Sequence, residues 1–331
     1  MEDFDLLYLM KTPFYMGSFD KALQEGETVE INIDDQRNQV LKNLLTVRSL
    51  TCRNDFQQLK QFMQTLFSDP NQKQEVANFS LLVQYLAQKK IDVQFLQNTF
   101  DEWIRDPQSV QANVTLFTLM VYYFYIEEDY NRLFYLLNNS KNLEFLSLKL
   151  VAYLRINRAD LGEQVLKQMK AIDEDSCITA LSECWLNIHS SGQNFTTDTL
   201  INTLNELGEK YGYTTKTYNL LAISLMLKLD LDRAAKIFES ALNDLQLDTP
   251  EGEAKHLYVG NNDLASLLTN YIKCNTMRNG LGQGNDYFKS DELNKRLFIY
   301  LGKINQGLLA EFFEERKKAS DMFDSALKQV Q

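Results

Sequence analysis

Two histidines and four cysteines are the side chains of this chain best suited to nucleophilic catalysis. A serine or cysteine nucleophile needs a histidine within reach to act as its base. Neither His189 nor His256 lies in a nucleophile motif, and His189 falls at the end of a predicted helix, where the helix dipole favours a basic side chain. We therefore predict no catalytic residue and no enzymatic activity.

Metal and cofactor sites are also not predicted. Cys177 and Cys184 are seven residues apart on one helix face, whereas zinc ligands are typically two to four apart, so both are expected in the core. The acidic triplet 173–175 lacks the glycine and the spaced oxygen ligands of a calcium loop, which favours a role in capping the next helix. The glycines of residues 280–284 (GLGQG) follow no strand and precede no Lys-Ser/Thr pair, so they predict a loop and no phosphate site.

Charge and hydropathy restrict the partners and the compartment. The chain of 331 residues carries 34 basic and 45 acidic side chains, a net charge of −11. A net negative surface repels phosphate backbones and anionic lipids, so we predict no nucleic-acid partner. The N-terminus is acidic and no apolar run reaches the roughly 18 residues of a membrane span, so we expect no membrane insertion and a cytoplasmic protein with free thiols.

Helices must form the scaffold of this protein. Only 4 prolines and 13 glycines interrupt a chain that is 44% hydrophobic, too few for the frequent turns of an all-β fold. Residues 217–242 show the pattern best, with small Ala222 and Ala234 facing each other where two helices can cross closely. Bulky apolar residues recur around them at helical spacing. This segment predicts one helix-turn-helix repeat.

The turn of that repeat recurs along the chain. With Leu229 as one turn, equivalent turns are predicted at Gly17, Asn54, Lys89, Glu128, Asn157 and Gly192, each inferred from its local pattern. The mean spacing is about 35 residues, close to the 34-residue period of tetratricopeptide repeats. We therefore predict an all-α, tetratricopeptide-like α-solenoid built from helix-turn-helix repeats.

Some segments depart from the repeat. Residues 28–33 (TVEINI) alternate apolar and polar side chains, which favours a short strand. We predict a single domain, 1–331, with repeats over about 4–250, an irregular stretch at 251–290 and capping helices at 291–331. Within the irregular stretch, a helix is expected from about Asp263 to Cys274, and a flexible loop at about 275–286.

Solenoids of this kind bind proteins, and the inner face of the repeats is the predicted binding surface. The aromatic run 122–125 covers all sides of one helix, so part of it must face a groove or be covered by a ligand. Repeat position assigns nine residues to this face, hereafter the inner stripe: Thr118, Tyr122, Tyr125, Ser147, Val151, Leu154, Asn219, Ile223 and Met226. An alternative is that these side chains form the internal packing of a tightly wound solenoid.

Three segments of the sequence resemble a known family. Residues 5–23 (DLLYLMKTPFYMGSFDKAL), 165–188 (VLKQMKAIDEDSCITALSECWLNI) and 232–242 (DRAAKIFESAL) resemble, in order and spacing, the epsilon subunit of coatomer, the COPI vesicle coat. The resemblance covers about residues 4–245. The acidic triplet 173–175 and the FYMGS motif carry most of it, because the other matching residues fit any tetratricopeptide repeat.

The resemblance implies a structural coat protein that binds and stabilises the C-terminal domain of the alpha subunit of coatomer, in Golgi-to-ER retrograde and intra-Golgi transport. It also implies a peripheral location on Golgi membranes and COPI vesicles, and one small β-hairpin, for which residues 28–33 or 257–259 could supply strands. Two alternatives stay open. The chain could be a tetratricopeptide adaptor such as a chaperone cofactor, or an accessory chain of a transferase.

Overall fold

The structure is a computed structural model. It describes residues 5–32, 34–68, 73–88, 92–106, 113–190, 197–247, 249–256, 261–280 and 292–307, with 309–310, 313–314 and 317–318. The chain divides into two compact units, Met1–Tyr211 and Gly212–Gln331. Each unit is described by itself below, and the single-domain organisation stays a prediction.

All regular elements of the described residues are helices, which confirms the all-α class. The first unit contains α1 (Tyr8–Met16), α2 (Phe19–Thr28), α3 (Gln36–Cys52), α4 (Phe56–Phe67), α5 (Lys73–Gln88), α6 (Val93–Arg105), α7 (Val114–Ile126), α8 (Tyr130–Leu136), α9 (Leu143–Arg155), α10 (Ala159–Ile172), α11 (Cys177–His189) and α12 (Thr197–Tyr211). The second contains α13 (Thr215–Leu227), α14 (Leu231–Asp244), α15 (Pro250–His256), α16 (Asn262–Gly280) and α17 (Glu292–Ile304).

Left-handed backbone at single residues produces the turns within the repeats. Gly17, Asn54, Glu128, Asn157 and Leu229 all have positive φ, from 58° to 86°, and each joins two successive helices. These are five of the seven turns predicted from the sequence; Lys89 and Gly192 lie outside the described residues. In four of the five turns, the next N–H donates back to a carbonyl at the helix end, which satisfies a group the helix leaves unpaired.

The next helix begins immediately after such a turn. Asp55, Asp129 and Asp230 each follow a left-handed residue, and each carboxylate accepts a hydrogen bond from a backbone N–H three residues later. An acidic N-cap satisfies one of the free N–H groups and meets the positive end of the helix dipole. The sequence thus determines both the end of the first helix and the start of the second.

The fifth residue after each left-handed turn is buried. Counting from the turn residue, these positions are Ala22, Leu59, Leu133, Gly162 and Ala234. Two of them are alanine and one is glycine, as expected where helix backbones approach closely. Ala222 and Ala234, predicted to face each other, are both 0% exposed at the packed α13 and α14 pair. The helix-pair repeat is therefore confirmed at the five described turns, and the burial of both alanines agrees with their predicted place in the helix contact.

The strand predicted at residues 28–33 is wrong for the part that the structure describes. Thr28 is the last residue of α2, Val29 is extended, and residues 29–32 belong to no strand. Val29 and Ile31 pack against the apolar cluster of α1–α3 while Glu30 and Asn32 face solvent. The alternation therefore reflects partial burial of alternate side chains in a segment that belongs to no strand. Residue 33 and residues 257–259 lie outside the described residues.

The loop predicted at residues 275–286 is also wrong in its first half. Helix α16 continues to Gly280 because it packs against α17, where the buried Asn275 amide donates to the Asn294 side-chain oxygen at 3.1 Å. Residues 281–286 are not among those described. Within 251–290, predicted as irregular, α15 and α16 are helical, and α17 forms the first part of the predicted capping region 291–331.

Candidate partner-binding surface

The predicted inner stripe is distributed over three first helices of the repeats. Thr118, Tyr122 and Tyr125 lie on α7, Ser147, Val151 and Leu154 on α9, and Asn219, Ile223 and Met226 on α13. The first six belong to the first unit and the last three to the second. The nine side chains differ in solvent exposure and in their contacts within the chain. Only those with accessible surface could contact another protein.

Three members of the inner stripe are buried in the chain itself. Thr118 is 2% exposed and its hydroxyl donates to the Val114 carbonyl at 2.8 Å. Ser147 is buried and accepts a hydrogen bond from the Ser182 hydroxyl of α11 at 2.9 Å. Leu154 lies in the core formed by α9, α10 and α11. A partner could therefore be contacted only through the other members.

Tyr122 belongs to a polar cluster inside the first unit. Its hydroxyl donates to Glu144 Oε1 at 2.6 Å, and the guanidinium of Arg48 lies 5.1 Å from its ring centroid. Arg48 also pairs with the Glu144 carboxylate and lies 4.5 Å from the ring centroid of Phe14. Tyr15 donates to the second carboxylate oxygen of Glu144 at 3.3 Å. Four helices, α1, α3, α7 and α9, thus contribute to one buried ion pair.

Contacts within this cluster keep the Glu144 carboxylate ionised and the two phenols neutral. Burial alone would raise the pKa of the Glu144 carboxyl, but the charge of Arg48 and hydrogen bonds from Arg48, Tyr122 and Tyr15 hold that pKa below its ordinary value. Burial raises the pKa of Tyr122 and of Tyr15 well above the ordinary phenol value, so both remain hydrogen-bond donors. The cluster is an ionised pair with two neutral phenols around the carboxylate.

Helix α1 lies close to helices that follow it by more than a hundred residues. Besides the bond from Tyr15 to Glu144, Cys177 Sγ of α11 lies 3.8 Å from the carbonyl oxygen of Thr12, and α1 packs against both α3 and α11. The side of α7 and α9 that Tyr122 and Ser147 face is therefore occupied by side chains of α1, α3 and α11. Around these residues, the internal-packing alternative describes the first unit better than an open groove.

The sequence did not identify Arg48 or Glu144. Arg48 is 6% exposed and lies among Leu44, Leu45 and Val47 of α3, and an arginine within such an apolar stretch is a signal that a buried partner exists. Glu144 lies in the first turn of α9, where a carboxylate is common for local reasons. Nothing in either segment specifies that the two side chains meet.

Tyr125 and Val151 are the half-buried members of the inner stripe in the first unit that lie outside the polar cluster. The guanidinium of Arg155 lies 4.7 Å from the ring centroid of Tyr125 and 3.7 Å from the Glu128 carboxylate. Val151 packs at the edge of the α9–α11 core. These two residues retain accessible apolar surface, and they supply the part of the first-unit stripe that a partner could contact.

In the second unit, Ile223 and Met226 are half-buried on α13. Asn219, one turn earlier, accepts a hydrogen bond from the Asn270 amide of α16 at 3.0 Å. This bond engages the side-chain oxygen of Asn219, whereas a clamp for a carboxylate ligand would use the side-chain N–H donors. The other accessible members of the second-unit stripe, Ile223 and Met226, are apolar.

Residues with potential chemistry lie where structural roles were predicted. His189 is the last residue of α11, and Cys177 and Cys184 are buried on that helix. Burial raises the pKa of the Cys184 thiol to about 12, so it stays protonated. No group of residues able to hold a metal ion occurs in the described part of the chain. None of the helices described is long and apolar enough to cross a membrane.

Comparisons of the sequence with known proteins identify one family. The sequence model of the family described as coatomer epsilon subunit matches residues 3–251. Coatomer subunit epsilon-2 of Arabidopsis thaliana is 26% identical over 239 residues, covering 72% of this chain and 78% of that protein. Coatomer subunit epsilon of Dictyostelium discoideum is 25% identical over 272 residues, covering 81% and 84%.

A solved structure can be compared over most of the chain. The crystal structure of a tetratricopeptide repeat protein from Parabacteroides merdae has 12% sequence identity and a TM-score of 0.41, covering 94% of this chain and 96% of that one.

Proposed function

Because the chain belongs to the coatomer epsilon subunit family, we propose that it binds the C-terminal domain of the coatomer alpha subunit and stabilises that domain within the coat. Family membership implies a structural role in the COPI coat on Golgi membranes. In this proposal the chain acts in Golgi-to-ER retrograde and intra-Golgi transport. It contacts the rest of the coat through the alpha subunit, and it contributes no catalytic step.

The match of the family model across residues 3–251 is the observation that carries the proposal. It favours a coat protein over the two alternatives, a chaperone-type adaptor and a transferase accessory chain. The contact surface in this proposal consists of the accessible apolar members of the inner stripe.

Titration calorimetry with the purified C-terminal domain of the alpha subunit tests the proposal. Two double variants of the full chain, Tyr125→Ala with Val151→Ala and Ile223→Ala with Met226→Ala, each remove the accessible stripe of one unit. A residue anchored in an interface commonly contributes about 2 kcal/mol or more, so a pair in contact should lower affinity by well over tenfold. Loss in only one of the two variants would identify which unit makes the contact.

Phe67→Ala and Ile299→Ala provide matched controls. Both positions carry exposed apolar side chains outside the inner stripe, 62% and 60% exposed, so neither variant should change the affinity. Circular dichroism should show unchanged helicity in all variants. A wild-type chain that does not bind the alpha-subunit domain would refute the proposed function.

A further inference from the structure

Helix α1 is buried on two opposite sides. Leu7, Met10 and Phe14 pack with α2 and α3 in one apolar cluster. Thr12 and Met16 lie on the other side of the helix, because successive residues of an α-helix are about 100° apart. They are 6% and 0% exposed. The end helix of a repeat array normally has one buried face and one polar face, so α1 has a second contact surface.

Helix α1 also contacts helices far along the chain. The Tyr15 hydroxyl donates to Glu144 Oε2 of α9 at 3.3 Å, and Cys177 Sγ of α11 lies 3.8 Å from the Thr12 carbonyl oxygen. These contacts span 129 and 165 residues of sequence, and α1 packs directly against α11. In a linear array each repeat contacts only its neighbours, so α1 makes a connection that such an array lacks.

Local signals contribute little to the stability of α1. The helix has nine residues, and its N-cap is Leu7, whose side chain cannot accept a hydrogen bond from the first turn. Pro13 lies within the helix and lacks the N–H that a helical hydrogen bond needs. Isolated helices of this length are marginal in water. The order of α1 therefore depends on the helices that pack against its two sides.

We propose that α1 is a strap that couples the N-terminal end of the first unit to α9 and α11, so that this unit opens as one cooperative body and not repeat by repeat. Tyr15 and Thr12 make the coupling contacts. Because α1 depends on its contacts for its order, a change in α1 should alter the opening of α11, although Cys177 follows Thr12 by 165 residues. The inference concerns the first unit alone and does not depend on the proposed function.

Thiol labelling of the native full chain tests this coupling. Cys177 and Cys184 of α11 are both 1% exposed, so a reagent reaches them only when the helices around α11 open. With the reagent in excess and each cysteine quantified by mass spectrometry, the labelling rate measures how often that opening occurs. In the wild type we expect similar rates at the two cysteines, because α1 and α11 open together.

Tyr15→Phe removes only the hydroxyl group that reaches α9. Because a hydrogen bond to a carboxylate is lost, labelling of Cys177 and of Cys184 should become faster by about fivefold or more, in the same proportion. Tyr135→Phe is the matched control, since it removes a hydroxyl from a side chain of α8 that is 56% exposed. It should leave both labelling rates unchanged.

Three results would overturn the inference. Labelling of Cys177 that is about tenfold or more faster than labelling of Cys184 in the wild type would show that α1 lifts from α11 by itself. Unchanged labelling of Cys184 in Tyr15→Phe would show that the repeats open independently, as in a linear array. Equal acceleration by Tyr135→Phe would show that the effect does not depend on the contacts of α1.

Discussion

Arg48 of α3 and Glu144 of α9 form a buried ion pair across 96 residues of sequence, with Arg48 Nη1 donating to Glu144 Oε2 at 3.3 Å and Nη2 pairing with Oε1. The phenols of Tyr15 and Tyr122 complete the hydrogen bonding of the carboxylate. The pair joins the first repeats of the first unit to the repeats that follow, so its loss should affect the stability of that unit.

Loss of the carboxylate should destabilise the protein strongly. Glu144→Leu leaves the Arg48 guanidinium buried without its counter-ion, and breaking a buried pair in this way typically costs about 3 to 5 kcal/mol. Arg48→Met combined with Glu144→Leu removes both charges and should recover a large part of that loss. Urea unfolding measures each variant. Arg158→Gln, which breaks an exposed pair with Asp160, should not shift the midpoint; a shift as large as that of Glu144→Leu would contradict a special role for burial.

The ion pair should make stability depend on pH in the acid range. Because the folded-state pKa of Glu144 lies below its ordinary value of 4.5, its contribution is fully present above that value and is lost as the pH falls through the folded pKa. The difference in unfolding free energy between wild type and Glu144→Gln should therefore be largest at neutral pH and shrink below about pH 4.5. A constant difference from pH 7 to pH 3 would show that the carboxylate is not ionised in the folded chain.

Extra volume at the α13–α14 crossing should destabilise the second unit. Ala234 is 0% exposed, and Ala234→Leu adds three carbons to a packed contact, an overpacking that typically costs about 1 to 3 kcal/mol. Ser240→Leu adds similar bulk on the exposed side of α14 and serves as the control. Thermal unfolding, followed by circular dichroism, gives the melting temperature of each variant. Equal melting temperatures of Ala234→Leu and Ser240→Leu would mean that the α13–α14 crossing has room for a larger side chain.

A methyl group at Gly162 should be tolerated. A Cβ atom built there would lie 3.4 Å from Leu186 Cδ1 and 3.5 Å from Leu154 Cδ2, which are ordinary contacts. Because glycine costs about 0.5 to 1 kcal/mol relative to alanine within a helix, Gly162→Ala should be neutral or stabilising. Gly162→Leu should destabilise, since larger side chains have no space beside α9 and α11. Calorimetry gives the melting temperature of both variants. A marked fall in the melting temperature of Gly162→Ala would contradict the space that these distances indicate.

Sequence reasoning located the helix-pair repeat because local signals encode it. A turn residue with left-handed backbone, an aspartate that caps the next helix and a small buried residue five positions on all lie within about six residues, as at Leu229, Asp230 and Ala234. The composition excluded an all-β fold, because 4 prolines and 13 glycines are too few for its frequent turns. These features depend on backbone sterics and capping, which act between neighbours in the chain.

Tertiary structure decided the features that depend on distant partners. The alternation of residues 28–33 predicts a strand, yet Val29 and Ile31 are half-buried against α1–α3 and belong to no strand. Helix α16 passes its predicted end because α17 packs beside it. The inner stripe is divided into buried and accessible members by helices such as α1, and Arg48 finds Glu144 only in the folded chain. Local patterns define what each helix can bury; which surface covers it depends on contacts between residues that the sequence separates by tens to hundreds of positions.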